Sequence, residues 1–407
     1  MSKKRRVISE RVASLPPSGI RKFFDIAERM EGVIKLGVGE PDFAPPWHVR
    51  EAMIDSLSRG RTCYTSNAGL WELRCGVGDY LATTYGVQYD PAKEILITVG
   101  VSEALDVALR CLLDLGDEAI VHQPCFVSYP SCVTLAGGTP VIVLTHEADD
   151  FKLRPEAVEE AATERSKVLM LNYPNNPTGA VMSGEELAAV AEVVERHDLY
   201  VLSDEIYSAL TYEGEHRCFA SLPGMRERTV LLNGFSKSHA MTGLRIGYAA
   251  GSPEIIEAMT KVHSYVAMCA PVSAQIGAAE ALRNGGQAVA EMCREYDQRR
   301  RVFVAGLNRI GLPCFEPKGA FYAFPSVQAT GMSSSDFCER LLVEQRVATV
   351  PGTAFGACGE GYIRCAYASP IPELKEALER MRTFLREHQV EGAQAASQAQ
   401  AASQRGK

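Results

Sequence analysis

The stretch VLMLNYPNNPTGAVMSGEELAAVAEVVERHDLYVLSD, residues 168–204, decides the fold class. It begins with the apolar run Val168–Asn172 and ends with the apolar run Tyr200–Ser203, and a helical pattern lies between the two. Ser183 and Glu186 have the spacing of a capping box, which marks where that helix starts. A strand, a helix and a second strand in this order are typical of a parallel βαβ unit.

Short apolar runs of the same kind recur through the middle of the chain. Most are continuous rather than alternating, as expected for strands that are covered on both faces. The six runs are Ile95–Gly100, Ala119–His122, Val141–Leu144, Val168–Asn172, Tyr200–Ser203 and Val230–Gly234. Helical patterns separate them, and one of these opens at Ser102. We therefore predict an α/β fold with a mainly parallel sheet between helices.

The length of 407 residues predicts more than one domain. We expect an N-terminal arm and part of a small domain at 1–45, and a large domain at 46–290. Long helices around a few strands predict a small α/β domain at 291–389. The remaining stretch, 390–407, repeats AQAASQ and offers only alanine to a core, so we expect a disordered tail.

Composition and charge exclude several classes of protein. A formal net charge of −8 makes nucleic acid an unexpected partner, because such binders carry a basic face. No apolar run reaches the roughly 18 residues of a membrane span, and no apolar segment follows the basic N-terminus as in a secretory signal. The 12 cysteines include no CxxC pair and the histidines form no HExxH motif, so we expect no metal site and a reducing, cytoplasmic location.

Polar residues at the ends of the predicted strands are the candidates for chemistry, since ligands collect at the carboxyl ends of parallel strands. Gly100 leads into Val101 and Ser102 at a helix start, where free N–H groups and the helix dipole favour a phosphate. A simple capping turn has the same pattern. Asp204 follows another strand and needs a cationic partner there, unless it only caps the next segment.

Lys237 lies among hydroxyl side chains directly after the strand Val230–Gly234. A desolvated lysine can form a Schiff base, and Arg245, eight residues further on, can bind a phosphate through two hydrogen bonds. A solvated loop lysine is the common alternative. The loop at 173–179 contains two prolines and aims amides at the same crevice, although such loops are usually only turns.

The motifs NPTG, SDEIY, SKSHAMTGLRIG and GYIR, in this order, resemble those of the class I and II aminotransferases. These are fold-type I pyridoxal-phosphate enzymes, and the resemblance runs from about Ser18 to about Phe384. It implies an aminotransferase that moves an amino group between an L-amino acid and a 2-oxo acid. The reaction would be ping-pong, through a Schiff base (aldimine) between pyridoxal 5′-phosphate and Lys237. The resemblance also implies a homodimer with shared active sites.

The resemblance implies a role for each residue of the cofactor site. Lys237 would form the Schiff base and then move a proton, while Asp204 would pair with the protonated pyridine nitrogen. The other implied cofactor ligands are Val101, Ser102, Ser236 and Arg245 for the phosphate, Phe126 for stacking on the ring, Asn176 and Tyr207 for the phenolic oxygen, and Tyr64 for the phosphate of the neighbouring subunit.

Three residues are implied for the substrate. Arg364 would bind the α-carboxylate as a planar fork, although a surface salt bridge is the simpler explanation of an isolated arginine. Gly39, in GVGEPD, would contact the substrate through its backbone, and Asn176 would contribute as well.

Three further segments resemble the Iγ subgroup of the family: SGIRKF at 18–23, KVHSY at 261–265 and KGAFY at 318–322. This subgroup includes aspartate, aromatic and N-acetyl-diaminopimelate aminotransferases, and an alanine substrate is also compatible. Some aspartate-specific members have a lysine for the distal carboxylate where this chain has Ser102.

Two other functions remain open from the sequence. The same cofactor and Lys237 would serve a β C–S lyase. A binding or regulatory protein that kept the fold is the third alternative, but such chains often lose the lysine, which is present here.

Overall fold

The structure is a computed structural model in which residues 7–16 and 30–405 are described, except for the side chains of 389–405. The subgroup motif at 18–23 lies outside the described residues.

Twelve β-strands occur among these residues. In chain order they are β1 (Ile34–Lys35), β2 (Ile95–Thr98), β3 (Glu118–Gln123), β4 (Thr139–Leu144), β5 (Ser166–Leu171), β6 (Tyr200–Asp204), β7 (Thr229–Gly234), β8 (Gly247–Ala250), β9 (Tyr322–Ala323), β10 (Val347–Ala348), β11 (Val350–Pro351) and β12 (Ile363–Ala366).

The same part of the chain contains twelve α-helices. They are α1 (Glu10–Ala13), α2 (Trp47–Ser58), α3 (Trp71–Tyr85), α4 (Val101–Leu112), α5 (Ser128–Ala136), α6 (Pro155–Ala161), α7 (Gly184–Arg196), α8 (Pro253–Val266), α9 (Val272–Asn284), α10 (Gly286–Ile310), α11 (Ser334–Gln345) and α12 (Ile371–Arg405). None of the described helices has the length and apolar character needed to cross a membrane.

Seven of the described strands form one sheet in the order β2-β8-β7-β6-β5-β3-β4. The pairs from β7 through β6, β5 and β3 to β4 are parallel, whereas β8 is antiparallel to both of its neighbours. The predicted mainly parallel α/β sheet is therefore confirmed.

Both faces of this sheet are covered, because successive strand residues belong to different core clusters. Leu96 packs in a cluster with buried residues of α4, α5 and α8. Its neighbours Ile95 and Ile97 pack in a second cluster, with buried residues of α3 and α9. This explains why the strands are continuous apolar runs rather than alternating ones.

All six predicted strands are present, and the capping box of Ser183 and Glu186 opens α7 as expected. The sequence did not predict β8. Its residues, Gly-Tyr-Ala-Ala, include no β-branched side chain, and only Tyr248 favours a strand, so the propensity signal is weak.

The chain divides into two compact units. The first contains the described residues 7–16, Glu40–Glu295 and Lys318–Ala320. The second contains the described residues 30–39, Tyr296–Pro317 and the chain from Phe321 onward. These units overlap the predicted large and small domains for most of their length. That each is an independent folding domain stays a prediction.

The second unit contains two small sheets among its described residues. β11, β12 and β9 form an antiparallel sheet, and β1 pairs with β10 in parallel. The backbone of α12 is helical to Arg405 and overlaps the predicted disordered tail at 390–407. The side chains of that stretch and its last two residues lie outside the described part of the chain, so the nature of the tail stays a prediction.

Candidate active site

The candidate site of the first unit lies at the edge where β2, β6 and β7 end. Because β8 runs antiparallel to its neighbours, its first residue, Gly247, pairs with Thr98 of β2 and with Gly234 of β7. Arg245, two residues before β8, is therefore placed at the same edge. The strand that the sequence did not reveal thus positions one of the predicted cofactor ligands.

The turn between β2 and α4 combines a helix start with a guanidinium group. Gly100 has φ +76°, and a Cβ atom there would lie 2.7 Å from a terminal nitrogen of Arg245. A Cβ at Gly247 would lie 2.8 Å from the amide nitrogen of Val101. As the first amides of α4, those of Val101 and Ser102 have no acceptor within the helix. Such a turn is suited to an anion.

Asp204, at the end of β6, has a carboxylate whose pKa is raised by its surroundings. It is 8% exposed; its Oδ2 accepts a hydrogen bond from the Tyr129 hydroxyl at 2.7 Å, and its Oδ1 accepts one from the Ile206 amide at 3.2 Å. Burial raises the pKa of Asp204 to about 6, although the two hydrogen bonds and the positive charge of Lys237 act to lower it. A buried carboxylate of this kind is best stabilised by a further cation.

Lys237 is half-buried and follows β7, the neighbour of β6. Its Nζ lies 6.0 Å from the ring centroid of Tyr207, and its charge favours the ionised form of Asp204. Ser236 and Ser238, on either side of it, are buried. The structure therefore brings Lys237, Tyr207 and Asp204 together at one end of the sheet.

The Asn-Pro loop that follows β5 is hydrogen-bonded to β6, the strand that ends in Asp204. The side-chain amide of Asn172 donates to the backbone carbonyl of Asp204 at 2.9 Å, and its Oδ1 accepts the amide of Asn176 at 3.1 Å. The side chain of Asn175 accepts hydrogen bonds from both the amide and the hydroxyl of Thr178. The loop is thus fixed by its own side chains and holds Asn176 beside β6.

The aromatic ring of Phe126 contacts the tyrosine that donates a hydrogen bond to Asp204. Phe126 is half-buried and meets Tyr129 edge to face, with ring centroids 5.7 Å apart.

His122 stacks on Tyr173 and accepts the Asn172 amide through Nε2 at 3.3 Å. Burial lowers the pKa of His122 to about 4, so this imidazole is neutral at physiological pH.

Sequence reasoning missed two residues that hold Asp204, namely Tyr129 and Asn172. Tyr129 lies in the first turn of α5, three residues after Phe126. No single-sequence pattern distinguishes its buried hydroxyl from an ordinary core tyrosine. Tyr64 is different: it is 80% exposed and, within the described residues, its side chain forms no hydrogen bond.

The predicted substrate residues Arg364 and Gly39 belong to the second unit. Arg364, in β12, is 3% exposed, which excludes the surface salt bridge considered above. Its Nη2 donates to the carbonyl of Gly37 at 2.7 Å, and its guanidinium lies over the rings of Tyr322 and Phe355. A Cβ on Gly39 would lie 2.5 Å from the Tyr322 hydroxyl, so only glycine fits there.

The chain matches the family model "Aminotransferase class I and II" over residues 31–381. YugH of Bacillus subtilis, an aminotransferase by name with no stated substrate, is 52% identical over 93% of this chain and 98% of that protein. Aspartate aminotransferase of Pyrococcus abyssi is 45% identical over 94% of this chain and 99% of that protein. Aromatic-amino-acid aminotransferase 2 of Thermococcus litoralis is 43% identical over the same shares.

Solved structures give the same result. The aromatic aminotransferase from Pyrococcus horikoshii OT3 has a TM-score of 0.87 and 44% identity, over 90% of this chain and 99% of that one. The aspartate aminotransferase from Thermus thermophilus, solved with maleate, has a TM-score of 0.89 and 40% identity, over 93% of this chain and all of that one.

The fold and the site thus define a pyridoxal-phosphate-dependent aminotransferase of fold-type I. The chain belongs to the class I and II aminotransferase family, as its motifs predicted.

Replacing Tyr129 with Phe removes a hydrogen bond that favours the ionised form of Asp204, so the pKa of Asp204 should rise above about 6. If Asp204 must be ionised to bind the cofactor, the affinity for pyridoxal phosphate falls as the pH drops through that pKa. We expect this decline to occur at a pH higher by about one unit in Tyr129→Phe, measured by equilibrium dialysis between pH 5 and 9.

Tyr89→Phe is the control, because Tyr89 is a buried tyrosine of the same unit in the α3 and α9 core cluster. An identical pH profile for Tyr129→Phe and the parent protein would contradict the assigned hydrogen bond.

Proposed function

We propose that the site around Lys237 transfers the amino group of an L-amino acid to a 2-oxo acid. Each site residue is proposed to have the role that the resemblance to the aminotransferase family implies. One observation carries this proposal. The buried carboxylate of Asp204, whose pKa is raised, lies within electrostatic range of a half-buried lysine. Both groups are at the sheet edge that also holds an anion-binding turn.

The residues of the first unit fit pyridoxal phosphate. Asp204 is a carboxylate that needs a cation, which the protonated pyridine nitrogen would provide. The α4 start with Arg245 is a cradle for a dianionic phosphate, and Ser236 adds a hydroxyl. When bound, the cofactor supplies an electron sink that makes the bond to the substrate α-hydrogen labile.

Each protein group then has a defined task. Lys237 would hold the cofactor through its amino group and would move a proton as a general base and acid. Asp204, with the Tyr129 hydroxyl behind it, keeps its negative charge toward the ring nitrogen. Tyr207 and Asn176 would donate hydrogen bonds to the phenolic oxygen of the cofactor, and Phe126 would stack on its ring.

Arg364 is proposed to bind the substrate α-carboxylate. Its guanidinium is fixed by the Gly37 carbonyl and by two aromatic rings, so little side-chain entropy is lost when a carboxylate binds. Gly39 leaves room for backbone contact with the substrate, since a side chain there would collide with Tyr322.

The substrate side chain would have to fit a pocket that the cofactor ligands do not define. Aspartate, aromatic, alanine and N-acetyl-diaminopimelate types all remain candidates. Ser102 carries no charge and cannot form an ion pair with a distal carboxylate, so an aspartate substrate would need another cation for that role. The relative named for aspartate is 45% identical to this chain and the relative named for aromatic amino acids is 43% identical, so sequence identity does not separate the two substrates.

A homodimer with shared active sites is supported by exposed apolar side chains of the first unit. Trp47, Ile54 and Leu57 of α2 are each more than half exposed, although such side chains are normally buried. Tyr64, in the segment that follows α2, is still more exposed. We propose that these residues face a second copy of the chain. Tyr64 would then reach the phosphate site of that second copy.

We also propose a cytoplasmic location. None of the 12 cysteines, all of which lie in the described part of the chain, forms a disulfide. This agrees with a reducing compartment.

We expect the holoenzyme to have a yellow absorption band that bleaches when a donor amino acid is added, because the amino group passes to the cofactor. Aspartate, glutamate, alanine, tyrosine, phenylalanine and N-acetyl-diaminopimelate are added one at a time, and the fastest bleaching identifies the donor class. Lys237→Ala should keep the cofactor through the phosphate site but lose turnover. Lys93→Ala, which removes an exposed lysine, should behave like the parent.

Normal turnover in Lys237→Ala would contradict the central assignment. Release of pyruvate and ammonia from cystathionine without any 2-oxo acid would identify a C–S lyase instead.

Arg364→Leu should raise KM for every amino acid substrate by about tenfold or more, because a charged hydrogen-bonded pair to the carboxylate is lost. Cofactor affinity should not change. Arg364→Lys keeps the charge without the fork and should give an intermediate KM, measured by steady-state kinetics. Equal KM values for parent and leucine variant would show that the carboxylate binds elsewhere.

Mixing Lys237→Ala subunits with Tyr64→Ala subunits should restore activity above the sum of the two variants measured alone. Each hybrid dimer would contain one site with an intact Lys237 and an intact Tyr64 from the other subunit. Sedimentation measurements would confirm that dimers form and exchange. If subunits exchange and activity stays at the sum, Tyr64 does not act across the interface.

A further inference from the structure

A buried histidine and glutamate lie behind the anion-binding turn and have no role in the chemistry described so far. His263, in the last turn of α8, is fully buried, and its Nδ1 lies 2.6 Å from Oε1 of Glu103. Glu103 is in the first turn of α4, and its side chain is only 11% exposed. The pair therefore joins α8 to the start of the helix that presents Val101 and Ser102.

The second carboxylate oxygen of Glu103 holds the strand side of the same turn. Its Oε2 accepts the amide of Val99 at 2.5 Å, and Val99 directly precedes Gly100. The carbonyl of Gly100 accepts the Glu103 amide at 3.2 Å and the Thr98 hydroxyl at 3.1 Å. One side chain thus connects the residue before the turn with the helix after it, and the amides of Val101 and Ser102 lie between these two attachments.

Among the described residues, the His263 ring forms its one polar contact with Glu103, through Nδ1. Within the described residues its buried Nε2 has no hydrogen-bond partner. A carboxylate can only accept, so the contact to Glu103 places the ring hydrogen on Nδ1. The imidazole therefore fixes one oxygen of Glu103, which leaves the other aimed at Val99.

We propose that His263 and Glu103 are positioning residues for the cofactor phosphate: His263 orients Glu103, and Glu103 holds the turn so that the amides of Val101 and Ser102 point at the anion. This rests on the proposed phosphate role of the turn. Neither residue contacts the phosphate itself, and the effect reaches the ligand only through backbone geometry, which governs how strongly preorganised amides bind an anion.

The test compares pyridoxal phosphate with pyridoxal, which lacks the phosphate. His263→Phe fills the same space without the hydrogen bond, and Glu103→Ala removes the attachment to Val99. In each variant the affinity for pyridoxal phosphate should fall by about tenfold, while that for pyridoxal stays at the parent value. His263→Asn places an amide donor near the position of Nδ1 and should recover most of the loss.

A double-mutant cycle tests whether His263 acts on phosphate affinity through Glu103 or independently of it. If His263 acts through Glu103, the double variant should bind pyridoxal phosphate as weakly as Glu103→Ala alone. His388→Phe is the matched control, because His388 pairs with Glu344 at 2.8 Å between two helices of the second unit. It should leave both affinities unchanged.

The proposal is overturned if folded variants lose affinity for pyridoxal and pyridoxal phosphate equally, if they lose none, or if the two effects add. Should His263→Phe fail to fold, Glu103→Ala carries the same comparison. A parent protein that binds no pyridoxal phosphate would instead refute the cofactor assignment, so the two failures are distinguishable.

Discussion

The burial of one carboxylate, that of Asp204, is the constraint around which the first unit is arranged. Removing a carboxylate from water is unfavourable unless donors and a positive charge replace the lost hydration. Here the donors are the Tyr129 hydroxyl and the Ile206 amide, and the charge is that of Lys237, which follows the neighbouring strand β7. The Asn172 side chain ties the carboxylate strand to the following loop, so that the loop and its Asn176 are positioned as well.

The sheet topology explains how residues far apart in sequence come to share one edge. Parallel strands β2, β6 and β7 deliver their carboxyl ends to it, and the antiparallel β8 starts there. Arg245 is placed because it precedes β8, whereas Lys237 is placed because it follows β7. The close approach of these segments requires glycine at Gly100 and at Gly247, where a Cβ would collide with Arg245 and with the helix start.

Much of this architecture could be predicted from sequence because its patterns are local. Apolar runs mark the strands that are buried on both faces, and the capping box of Ser183 and Glu186 marks a helix start. The residues that support the site could not be predicted, since Tyr129, His263 and Glu103 owe their roles to contacts across the fold. For example, 160 positions separate His263 from Glu103 in the chain. Strand β8 could not be predicted because three of its four residues are glycine or alanine, which do not favour strands.

The arrangement of Asp204 also links function to stability. Its pKa rises from 3.8 to about 6 in the folded protein, a difference worth about 3 kcal/mol. Because the folded-state pKa is the higher one, the protonated form favours folding below about pH 4. That contribution is lost as the pH rises through 6, so at neutral pH the buried charge destabilises the protein without cofactor. A bound cation beside Asp204 reverses this effect, and ligand binding to the folded state then adds its own stabilisation. The same desolvation that makes the charge of Asp204 unfavourable alone would favour the proposed pairing with a protonated ring nitrogen.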